Sequence, residues 1–173
     1  MTVSPPSNAP EPWLRGTHTE VDPVTRAVLH ALELAEEDAG KWCSGLSDAE
    51  INARPLGIAP VAFHLRHIAR SLDRLLTYAE GSRLNATQIA ALQSELGLAT
   101  TAAAVVAELN SGLQSAAARV RAFRPEAFNT ARGVGRAQLP STVGGLLVHC
   151  ADHTQRHIGQ AVTTARIVVA MRG

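Results

Sequence analysis

Five of the seven histidines fall in two short stretches, FHLRHIA at 63–69 and HCADHTQRHIGQ at 149–160. An α-helix turns about 100° per residue, so residues four apart lie about 40° apart around the axis and one turn along it. His153 and His157 therefore point the same way. They sit within an apolar stripe of Val143, Leu146, Leu147, Cys150, Ala161 and Val168. An imidazole on a core-facing stripe needs partners for its nitrogens, because an unsatisfied buried polar group costs about 1 to 3 kcal/mol. A histidine pair at this spacing can chelate one zinc-like ion, and a third ligand must then come from elsewhere. The earlier stretch offers His64 and His67, both away from the face that carries Arg66, Arg70, Asp73 and Thr77. Helical geometry alone does not choose between them, although His64 lies nearer the middle of the apolar arc.

Other residues near these histidines could line a pocket. Cys150 lies about 60° from His153 and 20° from His157 around the axis, where a small buried cysteine is the simpler explanation. His149 lies on the flank of the stripe and could support a ligand from behind. Gln160 is placed to orient a ligand or substrate, and Arg156 lies nearer the polar face. Gly144 and Gly145 weaken the start of this helix, for close packing or to leave room for a ligand. His18 and His30 read as surface or packing residues. The glutamate of an HExxH zinc-protease motif is absent, and Asp152, next to His153, cannot share its face.

Four long helices must position these groups. Asp22 and Pro23 form an N-cap and first-turn proline that open a helix running to about Gly45. Ser47-Asp48-Ala49-Glu50 has capping-box spacing and starts a short turn before Pro55. Pro60 and Gly81 bracket VAFHLRHIARSLDRLLTYAE, in which Val61, Leu65, Ile68, Leu72, Leu75, Leu76 and Ala79 recur at helical spacing. A short helix follows from about Ala86 to Glu95. Thr100 or Thr101 caps an alanine-rich helix that closes near Phe123. RPEAFNTARGVGRAQLP reads as a loop, and Ser141 or Thr142 caps the last helix. The expected fold is all-α: a four-helix bundle with short extra helices and no strands. Residues 1–21, with four prolines in the first dozen, form an extended or disordered arm, and 22–173 form one domain.

The bulk composition narrows the class. Sixteen basic and 15 acidic residues give a net charge of +1, so no field attracts nucleic acid or anionic lipid. The longest apolar runs, near Val143–Val148 and Ala165–Met171, fall short of the roughly 20 residues that span a bilayer. Two cysteines and no signal-peptide pattern place the chain in a reducing cytoplasm. A homodimer through exposed helix faces is expected for a bundle of this size.

Taken together, the LSDAEINARP turn, the helix with His67-Ile68-Ala69 and the HTQRHIGQ stretch resemble the DinB/YfiT-like superfamily of metal-dependent proteins, from Asp22 onward. The resemblance implies a four-helix bundle with a crossover connection and one divalent ion, zinc or nickel, held by His67, His153 and His157. His64 then becomes a pocket-lining residue or a substitute ligand. The resemblance also implies a transferase or hydrolase acting on a small molecule, with a low-molecular-weight thiol as a candidate cosubstrate. No catalytic residue is identified by it. Three imidazoles leave a coordination position open, as catalytic rather than structural sites do. The alternative is a non-catalytic helical binding protein that its metal stabilises.

Overall fold

The computed structural model describes residues 9–97 and 99–172. Its long helices are α1 (Pro23–Trp42), α3 (Val61–Ala79), α5 (Ala102–Arg121) and α6 (Val143–Ala170), with short helices α2 (Asp48–Ile51) and α4 (Ala86–Gln93) between them. Their boundaries follow local chemistry. The Asp22 carboxylate accepts from the N–H groups of Val24 and Thr25, ahead of Pro23. Ser47 and Glu50 close a capping box on α2, and Asn85 and Gln88 close another on α4. Thr101 and Thr142 cap α5 and α6 through their hydroxyls. At the end of α3, Gly81 has φ +82°, which a side chain would strain. That turn lets the Ser82 N–H reach Thr77 O and the Gly81 N–H reach Tyr78 O, satisfying two otherwise orphaned carbonyls.

Around the bundle, α6 packs between α1 and α3, and α5 packs between α3 and α1. Consecutive long helices α1 and α3 are therefore diagonal, as are α5 and α6, which is the crossover connectivity. The core includes Leu29, Leu32, Leu65, Ile68, Leu72, Leu109, Leu147 and Ile158, all nearly inaccessible. Gly112 lets α5 approach α3 closely: a Cβ there would lie 2.6 Å from Cβ of Ala69. Gly144 likewise serves packing, since a Cβ there would lie 3.1 Å from Phe128.

Two expectations are corrected. The 124–140 loop contains an antiparallel hairpin, β1 (Ala131–Val134) with β2 (Leu139–Thr142), in register Ala131↔Thr142. Its strands are four residues long and carry Gly133 and Pro140, too short and too irregular for an alternating signal. Arg132 of this hairpin donates to the Ala79 carbonyl at 2.7 Å, covering the exit of α3.

The expected arm is structured over 9–21, with a 3-10 turn at Pro12–Leu14 and Pro12 buried. Arg15 grips Glu37 of α1 through two hydrogen bonds of 2.5 and 2.8 Å. Residues 1–8 lie outside the described residues.

The face of α3 opposite its apolar stripe is roofed by other parts of the chain. Arg66 and Thr77 are buried because α4 and its exit segment cover them. No helix among the described residues is long and apolar enough to cross a membrane.

Candidate metal centre

Because α3 and α6 are neighbours, the histidines in the first two turns of α3 meet the middle of α6. One ligand atom each from His67, His153 and His157 lie within 4.8 Å of one another. Nε2 of His153 stands 3.0 Å from Nε2 of His67. The ring centroids are 4.4 Å apart for His67 and His157, and 4.5 Å for His153 and His157. The i, i+4 pair on α6 thus faces a single imidazole across the interface.

His64 occupies a different position. Its Nδ1 lies 3.1 Å from Nδ1 of His157, so it holds that ring from behind and leaves the Nε2 of His157 uncommitted. Behind His67 stands Glu95, whose Oε2 is 2.6 Å from Nδ1. A carboxylate only accepts, so the proton of His67 is assigned to Nδ1 and the Nε2 lone pair faces His153. Arg74 in turn donates to Glu95 Oε1 at 2.5 Å and to Ser71 Oγ at 3.0 Å. Phe63 stacks on His67, with centroids 5.3 Å apart and planes 21° apart, and meets His157 edge-on. Glu95 and Phe63 are the supporting residues that sequence reasoning missed. Glu95 lies beyond α4, 28 residues from its partner, where no helical spacing could reveal it.

Burial and crowding keep His64, His153 and His157 neutral. Burial, then the proximity of neighbouring imidazoles, pushes His64 and His153 down to about 4; His157 is also pushed to about 4 by burial, His67 and Arg156. Their lone pairs are free of protons at neutral pH. Burial would raise the Glu95 carboxyl, but the hydrogen bonds from His67 and Arg74, with the charge of Arg74, outweigh it and hold the carboxyl below its ordinary value. Glu95 is thus a buried anion with two partners. Three imidazole nitrogens, two of them backed by groups that orient the ring, fit a divalent first-row ion.

The other candidates lie further out. His149 is exposed, its ring 5.4 Å from that of His153 and its Nδ1 3.7 Å from an Asp152 oxygen. Arg156 is also exposed and binds Asp152 at 2.8 Å. Gln160 is exposed on the same helix. Cys150 packs wholly in the hydrophobic core, and burial pushes its thiol up to about 12, so it stays protonated.

Residues 31–161 match the DinB superfamily. The structure is similar to a solved one described as the conserved protein of locus from Enterococcus faecalis, with a TM-score of 0.70 and 19% identity. That similarity covers 87% of this chain and 99% of the other, and it establishes a shared fold. No curated protein matches the chain.

Proposed function

The chain belongs to the DinB superfamily, and from that premise we propose that it is a divalent-metal-dependent transferase or hydrolase acting on a small molecule. His67, His153 and His157 would hold one zinc or nickel ion, with a low-molecular-weight thiol as cosubstrate. The observation that carries this reading is the convergence of three imidazoles from two helices, with three protein donors in the group rather than four among the described residues. Bound there, a divalent ion would supply a Lewis-acid centre that lowers the pKa of a coordinating water or thiol toward neutrality.

The chain's own residues prepare the position. Glu95 keeps the His67 proton on Nδ1, and His64 steadies His157. Phe63 covers one side of the imidazole cluster with an apolar ring, limiting water there. His67, His153 and His157 themselves are only partly buried, so a small molecule can reach them.

Cobalt substitution tests the reading. In the loaded protein, a small thiol should produce a new charge-transfer band, and His153→Ala should abolish it. A cobalt spectrum that no thiol perturbs, and whose ion exchanges no water, would overturn the enzymatic reading.

A further inference from the structure

A second group of ligand-type side chains lies outside this centre, and we propose that His18, His30 and Glu33 form another divalent-metal site, joining the N-terminal segment to α1. His30 and Glu33 are three apart on α1 and so share a face, one turn apart. His18 arrives from the preceding segment. One ligand atom from each of the three lies within 4.8 Å of the others. Metal–ligand bonds of about 2.0 to 2.2 Å can collect such atoms after small side-chain rotations. Two imidazoles and a carboxylate suit zinc and other late first-row dications.

The backbone presents His18 to this position. His18 has φ +55°, in the left-handed region that side chains seldom adopt but histidine enters more readily than most. Arg26 of α1 holds it there, donating to the carbonyls of His18 at 3.0 Å, Thr19 at 3.3 Å and Val21 at 3.1 Å. Thr17 Oγ1 lies 3.0 Å from Nε2 of His30. His30 is buried, while the side chains of His18 and Glu33 are 16% and 37% exposed, which leaves an entry path.

Protonation in the free site follows from Arg121. Its guanidinium can only donate, and Nη2 lies 3.2 Å from Nδ1 of His18, so Nδ1 accepts. The ring proton is then on Nε2, which donates to Glu33 Oε1 at 2.5 Å. An ion takes the place of that proton between Nε2 and Oε1. The proton moves to Nδ1, no net proton is lost, and the exposed Arg121 side chain swings away. The arrangement predicts that Arg121 opposes binding.

The test uses the full chain, stripped with a chelator and titrated with Zn²⁺, with bound metal counted after dialysis. Wild type should take two ions. His18→Asn, which suits the left-handed backbone, and Glu33→Gln should each take one, as should His153→Ala. In the His153→Ala protein, Zn²⁺ should shift the ¹⁵N signals of the His18 and His30 rings, and Arg121→Gln should tighten this binding severalfold. Wild type binding one ion that His153→Ala loses would overturn this site and leave the three-histidine reading standing. Wild type binding one ion that His18→Asn loses and His153→Ala keeps would do the reverse. His18→Asn and Glu33→Gln proteins that both match wild-type stoichiometry would also overturn the proposal.

Discussion

Oε2 of Glu95 lies 2.6 Å from Nδ1 of His67, on the side of the ring away from Nε2 and its 3.0 Å approach to His153. One buried carboxylate thereby decides which nitrogen of His67 faces the cluster. Removing its charge while keeping its shape should weaken metal binding about 10- to 100-fold, the usual effect of losing such a supporting group. Glu95→Gln, titrated against a chromophoric chelator, checks this. An affinity equal to wild type would remove Glu95 from the site.

His64 and His67 differ in role although both begin α3. His67→Ala deletes a donor, and zinc binding at the cluster should be abolished. His64→Phe deletes only the contact to Nδ1 of His157, so binding should persist with lower affinity. Competition titration of the two variants separates them. Equal losses would mean that His64 is itself a ligand.

Gly112 should tolerate no side chain. A Cβ there would lie 2.6 Å from Cβ and 2.9 Å from Cα of Ala69, so α5 must shift from α3 to admit it. Gly112→Ala should lower stability by about 1 to 3 kcal/mol, the range for overpacking. Urea unfolding of the metal-free protein measures it. A stability unchanged or raised would show that the two helices are not held this close.

Acid should loosen the C-terminal end of α6. The hydrogen bond from Arg172, then those from Ser47, hold the Glu50 carboxyl down to about 2 from an ordinary 4.5. Between those values the unfolded chain binds more protons at this position, so stability rises with pH across the window and is lost as pH falls through it. Both groups are substantially hydrated, and salt should shrink the effect. An NMR titration should find Glu50 ionised well below pH 4.5, returning toward its ordinary value in Arg172→Ala. The same titration midpoint in both proteins would refute the pairing.

The caps, the long helices and the His153–His157 pair were legible because each is written in local spacing: Asp22 before Pro23, Ser47 before Glu50, two histidines four apart. The partner on α3 was not, since His64 and His67 both fit the apolar arc and family resemblance had to choose. Periodicity was also unable to tell water from a polar roof. Arg66 and Thr77, opposite the apolar stripe of α3, pack under the segment that carries Gln88 and Glu95. Glu95 itself lay in a turn whose partners only the folded chain defines.

The contact between His67 and His153 spans 86 residues of chain. Between them lie α4, α5 and the hairpin, all of which must be made before α6 can dock beside α3. During synthesis, a ribosome-bound chain that ends before His153 cannot assemble the cluster, however well its first helices form. An ion held by these three histidines could be captured only as the last helix closes, so its arrival would record that α6 has docked.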